Sequence, residues 1–171
     1  TLEAINSIAE IEEVESISVM ALALGDMFRY SIKTKGELVL LKDELTHVHN
    51  FVAIQLIRFE HAFQYEEQVP EELLERKVLK LILQPLVENA LVHGVASYPS
   101  GGLIRVSVRK DQGRVRLSVE DNGPGMSPEQ IDRLLEDFSK PSQLAPKKTG
   151  LYGAVYSMRC YFQENAEVKI E

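Results

Sequence analysis

Leu83-Gln-Pro-Leu-Val-Glu-Asn-Ala-Leu-Val-His-Gly94, followed further along by Asp121-Asn-Gly-Pro-Gly-Met126, decides how this chain folds. In the first stretch Glu88, Asn89 and His93 interrupt an apolar run with helical spacing. Asn at i and His at i+4 share a helix face, which suits a binding site and equally suits two satisfied polar residues in a core pocket. The second stretch ends an alternating strand. Alone it reads as a tight turn, with Asp and Asn bonding their own backbone and glycine supplying positive φ. Motifs of this kind match by chance when taken singly; the two together, in this order, are specific.

Working outward, Leu103–Arg109 and Val115–Glu120 alternate apolar and polar residues as strands do, and Lys110-Asp-Gln-Gly113 is a good hairpin connection between them. Phe63–Val69 alternates likewise and ends at Pro70. Residues 71–94 read as helical, and Pro85 must start or kink a helix because it lacks a backbone donor. Past the glycine turn, a helix begins near Ser127 with Pro128 at its first position. A polar stretch follows from Ser139 to Thr149, then a helix over Tyr152–Phe162 and a strand over Ala166–Glu171. Upstream, Thr1 to about Thr34 has helical period through Leu2, Ile5, Ile8, Ile11 and Val14, and Lys33-Thr-Lys-Gly36 reads as its stop. A second helix carries Leu41, Leu45, Val48, Val52, Gln55 and Phe59. The fold class is therefore α+β: a helical hairpin over residues 1–62, then an α/β sandwich over 63–171 whose sheet is covered by helices on one face. The hairpin alone leaves apolar surface exposed, so it is expected to dimerise or to dock on the remainder.

The bulk numbers bound the function. Of 171 residues, 44% are hydrophobic and 26% charged, and the formal net charge is −7. That balance argues against a nucleic-acid partner, which requires a basic surface, but not against a nucleotide held by backbone N–H groups and a cation. The single cysteine, Cys160, has no partner for a disulfide or a zinc site, and its apolar helical setting suggests buried filler. No apolar run is long enough to span a bilayer, and no signal peptide is visible.

Gln84-Pro-Leu-Val-Glu-Asn-Ala90 with His93-Gly94, then Asp121-x-Gly-x-Gly125, resembles the N and G1 boxes of the Bergerat-fold (GHKL) ATPases, the superfamily of gyrase, Hsp90 and histidine kinases. The wording Leu-Gln-Pro-Leu-Val-Glu-Asn-Ala, together with Val39-x-Leu41-x-x-Glu44-Leu45 and Ile54-Gln55-x-x-Arg58-Phe59, is similar to the LytS/YesM-like sensor histidine kinases in particular. The resemblance covers essentially the whole chain. It implies an ATP site in which Asn89 binds Mg²⁺, Glu88 orients metal waters and His93 approaches the phosphates. It further implies that Asp121 accepts a hydrogen bond from the adenine amino group while Gly123 and Gly125 admit the base. Residues 127–149 would form a lid, with Gly150 and Leu151 as the second glycine box.

This chain departs from the family pattern at Lys148-Thr-Gly-Leu151, where Gly-x-Gly-Leu is usual, and at Gly153 and Ser157. Lys147 and Lys148 can supply phosphate-binding charge or stand as solvated loop residues. Pro85 stands where hydrolysing members carry a general-base Glu, so the resemblance points to phosphoryl transfer rather than hydrolysis. It also implies a homodimer through the helical hairpin, a response-regulator partner, and a membrane-anchored parent whose cytoplasmic part this is. The phospho-accepting histidine is expected in a His-Phe-Leu-Phe-Asn motif ahead of Thr1. None of His47, His49, His61 or His93 has that context, and His47 and His49 are expected to be structural or solvent-exposed. The family normally closes its sheet with one more strand beyond Glu171. The rival readings are an ATP-hydrolysing switch protein and a non-catalytic dimerisation module with a degenerate site. Phe138, Tyr152 and Tyr156 either line the site or pack.

Overall fold

The computed structural model describes residues 1–33, 36–95, 100–111, 113–139, 150–163 and 166–170. The opening helix is two helices, not one: α1 (Leu2–Ile11) and α2 (Glu15–Lys33). The chain turns back at Glu12–Val14, where Glu13 adopts φ 55°. Small side chains suit the fold-back, for Ala9 of α1 and Ala21 of α2 are buried, and Ser18 Oγ donates to Asn6 Oδ1 at 2.6 Å across the pair.

A three-residue strand, β1 (Leu38–Leu40), leads into α3 (Leu41–Arg58). After β2 (Phe63–Gln68) and one 3-10 turn at Glu71–Leu73 comes a second short strand, β3 (Lys77–Leu79). β1 and β3 pair antiparallel, with Val39 opposite Val78. This corrects the expected helix over 71–94. Runs of three residues carry no readable period, and only the partner strand selects extended backbone there. Helix α4 is confined to Leu83–Asn89 and widens into a π-helical segment over Ala90–Val95.

The main sheet has the order β2-β4-β5, with β4 at Gly102–Asp111 and β5 at Arg114–Asp121. β2 runs parallel to β4, and β4 pairs antiparallel with β5 through a hairpin in which Gly113 adopts φ 84°. Ile104, Val106 and Val108 of β4 point into the core. They meet Leu41, Leu45, Val48 and Val52 of α3, Leu83 and Val87 of α4, and Leu91 and Val95 of the π segment in one continuous cluster. Each fully buried Leu, Ile or Val contributes roughly 1.5–3 kcal/mol. The cluster crosses residue 62, so α3 packs as part of the sheet's own core, with Met27 and Tyr30 of α2 at its border.

Helix α5 (Pro128–Ser139) opens on a capping box: Gln130 N–H donates to Ser127 Oγ, and Ser127 N–H donates to Gln130 Oε1. It packs on α6 (Gly150–Phe162) through a separate small cluster of Phe138, Val155, Leu134, Leu151, Tyr152 and Tyr156. Val168 and Ile170 join that cluster, but residues 166–170 form no strand, which corrects the expectation there. Cys160 is exposed rather than buried. It lies five positions beyond buried Val155, about 140° around the helix at 3.6 residues per turn.

Candidate functional site

The site begins at the start of α4. Pro85 is the third residue of this helix, where a missing N–H costs nothing because the first four amides have no intrahelical acceptor. One of those amides, and another just ahead of the helix, are served from another helix. The Glu44 carboxylate of α3, fully buried, accepts the N–H of Leu83 at 3.0 Å and of Leu81 at 2.9 Å. Further along α4 Glu88 is exposed and Asn89 half-buried; in the π segment His93 is exposed and Gly94 buried. π-helical turns recur at functional sites, but nothing in the spacing of Asn89 and His93 announces one.

The second motif sits where β5 ends. Asp121 Oδ1 accepts the N–H of Gly123 at 2.8 Å, the local bond expected of an Asp turn. Asn122 ties the turn to the head of β4: its Oδ1 accepts Leu103 N–H at 2.8 Å and its Nδ2 donates to the Gly101 carbonyl at 2.9 Å. The sequence reads Asn122 as bonding its own turn; the structure gives it the head of β4 instead.

The two motifs meet backbone to backbone. A Cβ on Gly94 would overlap the Asp121 carboxylate, and a Cβ on Gly123 would overlap the Cα and carbonyl oxygen of Gly94. Gly125 is needed for a different reason: its φ of 71° is left-handed, while the space around it is open. Asp121, Gly123 and Gly94 are therefore in direct contact, and the helix bearing Glu88 and Asn89 leads straight into that contact.

Gly150, exposed with φ 57°, opens α6, and α6 packs against α4. Leu151 is part of the α5–α6 cluster. Lys147, Lys148 and Thr149, with the rest of 140–149, lie outside the described residues. Phe138 and Tyr152 pack edge to face at 5.4 Å, and Tyr152 donates to Asp137 Oδ2 at 3.0 Å. Burial first, then that carboxylate, raises the Tyr152 hydroxyl above its ordinary range.

Asn89 and Glu88 offer a carboxamide and a carboxylate, oxygen ligands of the kind Mg²⁺ takes. Among the described residues there is no cluster of three His, Cys, Asp or Glu suited to a metal. A cation here would draw its remaining ligands from water and phosphate, as Mg²⁺ commonly does. The glycine contact also leaves the Asp121 carboxylate exposed at the end of the strand.

Sequence reading missed the buried polar residues behind the site. His47 Nε2 lies 2.6 Å from Gln84 Oε1, and its ring stacks on Tyr30 at 4.5 Å between centroids. Tyr30 donates to Glu44 Oε2. One signal was available: Glu44 falls three residues after Leu41 and four before Val48, on the face that must be buried.

Residues 75–168 match the family model of the histidine kinase-, DNA gyrase B- and HSP90-like ATPases. The chain belongs to that family. Residues 1–63 match a second model, described as histidine kinase. Sensor histidine kinase YesM of Bacillus subtilis is 36% identical over 126 residues, 74% of this chain and 22% of YesM. A sensor-like histidine kinase of Staphylococcus epidermidis is 39% identical over 115 residues, 67% of this chain and 22% of its own length. BtsS of Escherichia coli, also a sensor histidine kinase, is 32% identical over 121 residues, 70% of this chain and 22% of BtsS. The chain thus spans about a fifth of the length of the curated relatives it matches. Membership makes the α+β sandwich an ATP-binding fold.

Proposed function

We propose that this chain is the ATP-binding, phosphoryl-donating portion of a two-component sensor histidine kinase. The observation that carries the reading is the backbone contact of Gly94 with Asp121 and Gly123, which joins the helix of Glu88 and Asn89 to the exposed carboxylate at the end of β5.

In this reading the Asp121 carboxylate, held by Gly123 N–H, accepts a hydrogen bond from the adenine amino group, which a guanine carbonyl cannot donate. Gly123 and Gly125 leave room for the base. Asn89 presents its side-chain oxygen to Mg²⁺ and Glu88 orients metal-bound water; when bound, the ion neutralises phosphate charge. His93, exposed one turn on, approaches the phosphates, and Gly150 and Leu151 close the site from α6. The expected lid over 127–149 has α5 as its described part, and residues 140–149 lie outside the described residues. Pro85 offers no base to activate water, so the site favours transfer over hydrolysis.

The acceptor is a histidine other than the four in this chain. His47 is buried against Tyr30, and His49 is paired with Glu67. The assembly is a homodimer through α1 and α2. Ile5, Ile8 and Ile11 of α1 and Ile17, Val19, Leu22, Leu24, Phe28 and Ile32 of α2 are exposed, and exposed apolar residues gathered on a helix pair favour association. The phosphoryl group passes on to an aspartate of a response regulator. No described helix is long and apolar enough to cross a membrane, and the full-length parent is anchored in one by other segments.

Calorimetric titration of Mg²⁺-ATP into the purified chain tests the reading, with Asn89→Ala and Asp121→Asn in parallel and GTP as competitor. Saturable binding that both variants lose, and that GTP does not challenge, is the expected result. A folded chain that binds no nucleotide would sink the proposal, and steady phosphate release would favour a hydrolysing switch.

A further inference from the structure

A buried polar network lies between the α2 helix and the start of α4. Glu44, on α3, is fully buried, and its carboxylate accepts from donors on two other elements: Tyr30 Oη from α2, and the amides of Leu81 and Leu83 from the α4 junction. Leu81 stands at φ 59°, a left-handed conformation unfavourable to a side-chain-bearing residue. Beside it His47, also buried, stacks on Tyr30 and holds Gln84, the second residue of α4. Gln84 Oε1 accepts from His47 Nε2, while His47 Nδ1, also buried, has no hydrogen-bond partner among the described residues. The end of α2 is tied to the same junction a second time, since Lys80 Nζ donates to the Ser31 carbonyl at 2.8 Å.

Helix α4 is only seven residues long and ends at Asn89. A shift at its first turn therefore moves Glu88 and Asn89 nearly as a rigid body. None of Tyr30, Glu44 or His47 belongs to the nucleotide motifs, yet together they fix where that helix begins. We propose that Tyr30, Glu44 and His47 are positioning residues that couple α2 to the nucleotide site through the first turn of α4. The inference rests on the reading of Asn89 and Asp121 as nucleotide ligands.

The test uses Tyr30→Phe, which removes one hydroxyl and keeps the stacked ring, and Glu44→Gln, which removes the double acceptor. Val52→Ala serves as a core control that loses stability away from the network. Two quantities are read at a temperature where every variant is folded: the Kd for Mg²⁺-ATP, and hydrogen exchange at the Leu81 and Leu83 amides without nucleotide. Tyr30→Phe is expected to weaken binding by about 3- to 10-fold, and Glu44→Gln by tenfold or more, each with faster exchange at both amides. Val52→Ala is expected to melt lower with an unchanged Kd.

Should Glu44→Gln fail to fold, Tyr30→Phe decides. A Tyr30→Phe chain that binds Mg²⁺-ATP like the parent overturns the coupling while leaving the nucleotide site intact. A folded parent chain that binds no Mg²⁺-ATP overturns the site reading and the coupling with it.

Discussion

Gly94→Ala is the most exposing single substitution in this protein. The added methyl would overlap Asp121 Oδ1 and Cγ, and Asp121 Cβ stands 3.0 Å away, so side-chain rotation alone does not make room. The opposite side is closed as well, because Gly123 packs on the Gly94 backbone. Overpacking of this kind costs about 1–3 kcal/mol, and melting temperature falls by roughly 2–4 °C per kcal/mol in a chain of this size. The buried Gly94 backbone is fixed within the π segment while Asp121 is exposed at the end of β5, so Asp121 yields as a whole and its carboxylate moves furthest. It then loses the Gly123 N–H and, on the proposed reading, its hydrogen bond to the adenine amino group. A hydrogen bond to a charged acceptor is worth about 1.5–3 kcal/mol, so Mg²⁺-ATP affinity is expected to fall by about ten- to a hundredfold. Calorimetry on a chain verified as folded measures this, and ADP should lose the same factor because the damage falls on the base. Wild-type affinity in folded Gly94→Ala would refute the argument that this glycine contact sets the position of Asp121.

Gly25→Ala makes the same chemical change and should do the opposite. Its Cβ would meet only the flexible Arg29 guanidinium, 3.5 Å away, within helix α2. A gain of about 0.5–1 kcal/mol in a thermal or urea melt is expected from the reduced entropy of the unfolded chain, and a loss would show that α2 is packed more tightly than described. His49 and Glu67 provide a pH test. The hydrogen bond to Glu67 raises His49 above its ordinary value against opposing burial; burial would raise Glu67, but its bonds from His49 and Tyr65 outweigh it and hold the carboxyl low. The His49 contribution is thus complete below about pH 6.5 and fades as pH climbs through its raised folded value; the Glu67 contribution is lost only as pH falls through its lowered one. His49→Gln should cost about 0.5 kcal/mol near pH 5.5, the half-exposed pair being screened, and nearly nothing near pH 8.5; equal melts at both values would contradict the pairing. If the proposed homodimer forms through α2, Phe28→Glu on its exposed face should weaken self-association at least tenfold in sedimentation analysis without lowering ATP affinity, and an unchanged association constant would contradict that proposal.

The local signals that sequence carries well concern period and punctuation. Alternation in Leu103–Arg109 and Val115–Glu120 gave two strands and their hairpin, and Ser127 with Pro128 gave the start of α5. The two motifs, read through their family resemblance, marked the parts of the chain whose ATPase membership the comparison confirms. These features are legible because they depend on neighbours three or four residues away.

Tertiary structure decided what depends on distant partners. Lys77-Val-Leu79 is extended only because Leu38-Val-Leu40 is there to receive its hydrogen bonds. The opening helix breaks at Glu12–Val14, and folding back packs α1 on α2 with Ala9 and Ala21 buried, a gain no local propensity registers. Gly94 and Asp121 are far apart in sequence, and nothing in either motif says that the methyl missing from one is the space taken by the carboxylate of the other. Glu44 is the clearest case. A carboxylate on an amphipathic helix is ordinarily solvated, and it can be buried only where donors converge on it. Those donors come from α2 and from the α4 junction, so only the folded chain brings them together.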